Sequence, residues 1–272
     1  LTKIFKDSSK LKTGHNIKFS SLILKQYGIE LNGVFFDTVI AAHLINPEVK
    51  SSSLDTLSME FFGYEMVQAA DLIGKGKNQI DMVDVPSKKL AFYASECSDI
   101  CLQLTNVLMK KLEENGLISY FKTIEIPLIK VLTEMEYSGT YVDSKLLKKM
   151  SQDIGQKLSK IVNSIYNLSG KEFNINSTQQ LATILFDELS LPQVKSRSTA
   201  EPILRQLGEL HELPKQILEY RKYFKLKNTY LDSLQSLISK NTGRIHSTFN
   251  QTVTATGRLS SANPNFQNIP IR

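Results

Sequence analysis

Residues 254–272 read TATGRLSSANPNFQNIPIR, with no acidic side chain, two arginines, three asparagines and one glutamine. Such a stretch is dense in groups that grip nucleic acid. Arg258 offers a planar fork of donors, and Asn265, Gln267 and Asn268 donate or accept without adding charge. Gly257 lets the backbone approach a partner closely. Composition alone would equally describe a solvated loop, so the order of the residues has to decide.

The chain has 272 residues, 41% of them hydrophobic, enough for two domains with their own cores. A formal net charge of +6 and a pI near 9.1 favour an anionic partner, although the surplus is modest. No apolar run reaches the roughly 20 residues of a membrane span, and the first residues have no signal-peptide core. The expectation is a soluble, cytoplasmic protein with no membrane partner. Cys97 and Cys101 are the only cysteines. Their four-residue spacing in a predicted helix is poor for a mutual disulfide and fits buried thiols in a reducing compartment.

Residues 1 to about 112 alternate short apolar strand-like runs with helices, at 22–27, 34–44, 54–62 and 90–111, which reads as α/β. The opening LTKIFKDSSKLKTGHNIKF enters on a helix remnant and a strand, so an N-terminal truncation is expected. Ile124, Leu128, Val131, Leu132 and Met135 fall at helical spacing, with Gly139 in the break. A long amphipathic helix follows Asp143, with Leu146, Met150, Ile154, Leu158, Ile161, Ile165 and Leu168 as its stripe. Ser177 and Gln180 fit a capping box opening a second helix. A third begins around Pro214, suited to a first helical position, and residues 244–256 read as strands. Loops are expected at 45–53 and 190–202.

The order of residues 254–270 is similar to the segment with which family A DNA polymerases hold the minor groove of the primer-template, just before their first catalytic aspartate. Phe266, where Leu is more usual, is the visible departure. The minor groove offers acceptors at nearly the same places for every base pair, so such a segment reads geometry rather than sequence. The resemblance implies duplex contacts from Arg258, Asn265, Gln267, Asn268 and Arg272.

The first 112 residues resemble the later part of the 3′-to-5′ proofreading domain of the same polymerases, an RNase H-like fold, through GHNIKF at 14–19, FDT at 36–38, GKGKNQI at 74–80 and FYASECSDICLQL at 92–104. That exonuclease works with two metal ions held by carboxylates. In the family one carboxylate lies four residues after an Asn and another four residues after a Tyr. Here Ser20 follows Asn16 and Cys97 follows Tyr93. A hydroxyl and an unactivated thiol are poor magnesium ligands, and Asp99, about 200° further round the helix from Cys97, should point elsewhere. The remaining two acidic ligands would lie upstream of Leu1. Asp37 matches a residue outside the metal set and reads as structural.

Residues 144 to about 235 resemble the family's thumb, through FNINSTQQLATILF at 173–186 and LPKQILEYRKYFKLKNTYLDSL at 213–234. Ser177, Thr178 and Gln179 open a helix whose free N–H groups would suit a phosphate. From the residues alone an N-cap facing water serves as well, and the resemblance favours phosphate. Arg221, Lys225 and Lys227 are interleaved with Tyr223 and Tyr230; family positions matching Arg221 and Lys225 lie beside the primer duplex. KSRST at 195–199 matches the thumb tip, but without the usual Gly-Tyr pair.

The expected fold is therefore α/β plus α: a partial RNase H-like exonuclease domain (1–112), a helix entering the palm (113–143), a helical thumb (144–235) and first palm strands (236–272). The expected function is primer-template binding by part of a DNA polymerase I-type enzyme with an inactive proofreading domain and no metal site of its own. Mg²⁺ and deoxynucleotide triphosphates would be used only by the intact enzyme. Two other classes compete: a non-catalytic DNA-binding module derived from a polymerase, and an active 3′-to-5′ exonuclease.

Overall fold

The computed structural model describes residues 1–48, 52–193 and 197–270. The expected loops at 45–53 and 190–202 lie partly outside them, as do Lys195 and Arg272. The chain forms two compact units, 1–140 with 246–270, and 141–245. Both are mostly helical, with few and short strands.

The first unit begins with α1 (Thr2–Lys6), β1 (Lys12–Gly14), α2 (Ile17–Gln26), β2 (Val34–Asp37) and α3 (Thr38–Ile45). β1 and β2 pair in parallel, Gly14 opposite Asp37, and α2 supplies the crossover that parallel pairing needs. Then come α4 (Leu54–Phe62), α5 (Ala69–Ile73) and the 28-residue α6 (Ser87–Glu114). Of the apolar runs read from the sequence, only the start of 34–44 is a strand. Residues 22–26 belong to α2, because a run that short fits a strand or a buried helix equally. The core gathers Ile17, Phe36, Ile40, Leu57, Leu104, Leu108, Leu112, Phe121 and Ile129, with the Phe36 and Phe121 rings 4.8 Å apart.

A helical rod follows: α7 (Ile118–Tyr120), a π-helical segment (Phe121–Glu125) and α8 (Ile126–Ser138). Gly139, with φ +65°, ends it where the sequence placed the break. Of the expected stripe only Leu132 is fully buried, and Leu128 is half-buried. Ile124, Val131 and Met135 are exposed, whereas Phe121, Glu125, Ile129, Leu132, Thr133 and Glu136 are buried. Two glutamates on the inner face hide it from a hydrophobicity pattern.

After β3 (Thr140–Tyr141), α9 (Ser144–Ser169) starts where Asp143 Oδ1 accepts the N–H groups of Lys145 and Leu146, both at 3.0 Å. Ile154, Leu158, Ile161 and Ile165 of the expected stripe are buried, while Leu146 and Met150 stay exposed. Further on lie α10 (Thr178–Thr183), continuing into π-helical Ile184–Glu188, then α11 (Glu201–Leu207) and α12 (Glu212–Lys225). The π-helical Leu226–Asp232, α13 (Ser233–Ser236) and β4 (Arg244–Ile245) complete this unit. α11 is a helix that the sequence reading missed. α12 starts before Pro214, because His211 Nδ1 accepts the Leu213 N–H at 3.0 Å and acts as the N-cap. Only half of the expected capping box forms: Ser177 Oγ accepts the Gln180 N–H at 3.3 Å, while the Gln180 side chain takes the Asn174 N–H instead.

The chain then returns to the first unit as β5 (Thr248–Asn250) and β6 (Ser260–Ala262), an antiparallel pair with Phe249 opposite Ser261. The expected strands at 244–256 are therefore shorter, and β6 lies within the 254–272 stretch itself.

Asp37, read as structural, is 1% exposed. Its carboxylate accepts the N–H groups of Ile17 (2.7 Å), Val39 (2.9 Å), Asn16 (3.3 Å) and Ile40 (3.4 Å). One side chain thus caps α3 and seats the start of α2. Burial pushes its pKa up, opposed by those four bonds. Asp37→Ala strands several buried donors, so a loss of about 3 kcal/mol in urea unfolding is expected. A change under about 0.5 kcal/mol, the size of an ordinary surface substitution, would contradict this role.

Candidate nucleic-acid interface

Residues 251–259 link β5 to β6 and carry Arg258, whose side chain is exposed. The link is tied at its base: Thr254 Oγ1 donates to the Arg258 carbonyl, and His43 Nε2 lies 3.3 Å from the Thr254 carbonyl. Gly257 has φ +73° and nothing within 4 Å of a built Cβ. Backbone conformation therefore requires glycine here, since L side chains rarely adopt that region.

Around and beyond β6, the polar side chains mostly bind the segment's own backbone. Asn265 Oδ1 accepts the Gln267 N–H (2.9 Å) and the Ser261 hydroxyl (3.2 Å), and Gln267 Nε2 donates to the Leu259 carbonyl (2.7 Å). That leaves the Asn265 amide nitrogen and the Gln267 amide oxygen for a partner. Asn268 is exposed.

The hairpin is seated on the rod by its two buried glutamates. Glu136 Oε1 accepts the Phe249 N–H at 2.7 Å and pairs with Lys18 of α2. Glu125 Oε2 accepts the Gln251 amide at 2.6 Å, and its carbonyl accepts it at 3.1 Å. No sequence pattern pointed to these residues as anchors.

In the second unit, Asn176, Thr178, Gln179, Arg197, Thr199 and Arg221 line one open groove. The structure therefore brings Thr178, Gln179 and Arg221 together, with the Ser177 hydroxyl turned to its own helix. Neither arginine is loose. Arg197 forms a bidentate pair with Asp187 at 2.6 and 2.5 Å, which holds the Asp187 carboxyl below the usual range. Arg221 donates to the Thr199 carbonyl at 2.5 Å and reaches its hydroxyl at 3.3 Å. Lys225 is exposed, but Lys227 pairs with Asp232 at 2.6 Å. The Tyr223 ring is faced by Lys157 and Lys222, at 5.6 and 5.9 Å, rather than by the expected neighbours.

Cys97, Cys101, Tyr93, His15 and Asp55 line a separate groove in the first unit. Burial raises both thiols, Cys101 to about 11, so they are protonated at neutral pH. Ser20 sits exposed on α2 and does not line this groove, and Asp99 accepts the Gln103 amide on the outside of α6. His15, remote in sequence, lines the same groove as both cysteines. Among the described residues no group of three or more His, Cys, Asp or Glu side chains converges.

Burial pushes the His15 imidazole down to about 4, against the pull of Asp55, and its Nδ1 lies 2.8 Å from Thr38 Oγ1. The native ring is neutral where the unfolded one, titrating near 6.5, takes up a proton. Stability is therefore complete above about pH 6.5 and falls towards pH 4, by at most about 1.4 kcal/mol per pH unit. Urea unfolding of wild type and His15→Gln between pH 7.5 and 4.5 should show a shallower fall in the variant. Identical slopes would rule this titration out.

Two family models match. DNA polymerase family A covers residues 144–272, and 3′-5′ exonuclease covers residues 1–113. DNA polymerase I of Pseudomonas aeruginosa is 38% identical over all of this chain and 31% of its own length. That of Chloroflexus aurantiacus is 39% identical over all of this chain and 30% of its own length. The chain thus spans under a third of these relatives. Among solved structures, the POL domain of Pol1 from M. smegmatis, in complex with DNA primer-template and dNTP, aligns with a TM-score of 0.82 and 31% identity. That alignment covers all of this chain and 45% of the other. Outside the short link at 114–143, every stretch of the chain is therefore similar to one of two families, residues 144–272 to DNA polymerase family A and residues 1–113 to 3′-5′ exonuclease.

Proposed function

We propose that this chain is the duplex-holding part of a DNA-directed DNA polymerase of the polymerase I type, acting in replication or repair. The observation that carries the reading is Arg258, exposed on a loop that is clamped at its base and borne by a hairpin seated on buried carboxylates. A rigid mount with an exposed fork of donors suits a groove whose acceptors vary little with sequence. Arg258, Asn268, the Asn265 amide and the Gln267 amide are assigned to the minor groove, with Arg272 beyond the described residues. Lys225, Ser177, Thr178 and Gln179 are assigned to the flanking duplex, and Arg221 to the wall of the groove that Thr178 and Gln179 line.

In this reading residues 1–112 are an RNase H-like exonuclease remnant, 113–143 the helix entering the palm, 144–235 the thumb and 236–272 the first palm strands. Template-directed nucleotidyl transfer, its Mg²⁺ and its deoxynucleotide triphosphates belong to the intact protein, in the cytoplasm at the nucleoid. The first unit does not fit a pair of catalytic metal ions. Ser20 supplies a neutral hydroxyl on an exposed helix face, and burial keeps the Cys97 thiol protonated. A hard dication needs carboxylate oxygens instead.

A labelled duplex with a recessed 3′ end tests the binding. Arg258→Ala should weaken it by about tenfold, the loss of one or two hydrogen bonds to a charged group. No change in affinity would remove Arg258 from the interface. Incubated with Mg²⁺ or Mn²⁺, the chain should neither extend the primer nor shorten a labelled single strand. Shortening from the 3′ end that Tyr93→Phe abolishes would establish the exonuclease alternative.

A further inference from the structure

The groove of the second unit has two arginines that composition treats alike, and the structure separates them. Arg197 lies at the surface, its pair with Asp187 about half exposed on both sides. Arg221 is half-buried, and burial alone pushes its pKa down. Its guanidinium is turned onto Thr199, a buried polar residue on the segment that leads into α11. Ala200, the next residue, is the N-cap of α11, and its carbonyl accepts the N–H groups of Ile203 and Leu204, each at 3.0 Å. The buried Leu204 and Leu207 then seat α11 in the core of this unit.

We propose that Arg221 is a positioning residue: through the Thr199 carbonyl and hydroxyl it fixes the 198–200 segment as one wall of the groove, and it does not neutralise a DNA phosphate itself. The inference rests on the proposed duplex-holding function for its consequence, but the positioning stands on the free chain. Two parallel donors from one guanidinium hold a carbonyl and a hydroxyl of the same residue, which a lysine ammonium, a point charge on a flexible stem, cannot reproduce. An arginine spent in this way still lines the groove with its remaining N–H groups. Its removal changes the shape of the groove before it changes the count of phosphates contacted. Lys225, one turn further along α12, is exposed and can meet a phosphate.

The experiment has two arms and uses the whole chain. Hydrogen exchange on the DNA-free protein reads the amides of Ile203 and Leu204 in wild type, Arg221→Lys and Arg221→Ala. Both variants should exchange there about tenfold faster, the worth of a hydrogen bond to a charged group, while the core amides of α9 keep their protection. Unchanged exchange at Ile203 and Leu204 in both variants overturns the positioning role.

Binding of the labelled recessed duplex over a range of salt concentrations forms the second arm. Arg221→Lys should bind as weakly as Arg221→Ala, and both should keep the wild-type slope of log affinity against log salt. Lys225→Ala should lose about 0.9 from that slope, the share of one phosphate. Full rescue by Arg221→Lys, or a slope reduced by about 0.9 in Arg221→Ala, shows direct phosphate neutralisation and overturns the proposal. If wild type binds no duplex, the duplex-holding function fails, and the exchange arm still decides the positioning.

Discussion

The carboxylate of Glu136, together with that of Glu125, holds the hairpin to the body of the first unit. It receives the ammonium of Lys18 and the N–H of Phe249, from segments more than a hundred residues away on either side of the chain. The pair is buried, with side chains 12% and 7% exposed, and breaking a buried pair by removing one partner costs about 3–5 kcal/mol. β5 and β6 have three residues each, and an isolated two-stranded hairpin of that size is marginal in water. Glu136 and Glu125 therefore decide whether the loop carrying Arg258 has a fixed place.

The second unit is held differently. Asp143 and His211 cap its two long helices, and an apolar face of α9 buries against α12 and the π-helical Leu226–Asp232. Several of its cations are spent on intramolecular pairs, among them Arg197 with Asp187, Lys227 with Asp232, Arg205 with Glu201 and Lys215 with Glu212. Most of these are exposed, so each is worth little to stability. Their effect is on availability, because a cation already paired binds a phosphate only by giving up its partner. A modest net charge of +6 is thus concentrated in fewer free groups than a residue count implies.

Much of the helical framework was legible in the sequence. The start of the long helix after Asp143, its buried run from Ile154 to Ile165 and the break at Gly139 follow from local capping and periodicity. The face of α8 was not legible, because its inner surface includes Glu125 and Glu136, and a pattern search assigns glutamates to water. The start of α12 was misjudged because Pro214 is a stronger local signal than a histidine acting as an N-cap. Residues 22–26 were ambiguous because a short apolar run satisfies either regular structure.

By itself the sequence determined which residues occupy each motif: the ordered stretch 254–270, a serine four residues after Asn16, a cysteine four residues after Tyr93, and the apolar stripes of the helices. These are matters of identity and spacing along one chain. Tertiary structure alone decided that Arg221 faces Thr199, that His15 is half-buried against Thr38 with its pKa pushed down, and that Arg258 rides on a hairpin anchored to two glutamates. Each of these depends on groups far apart in sequence. Whether a charged or polar side chain is spent or free is set by the partner that folding brings to it and the water that folding removes.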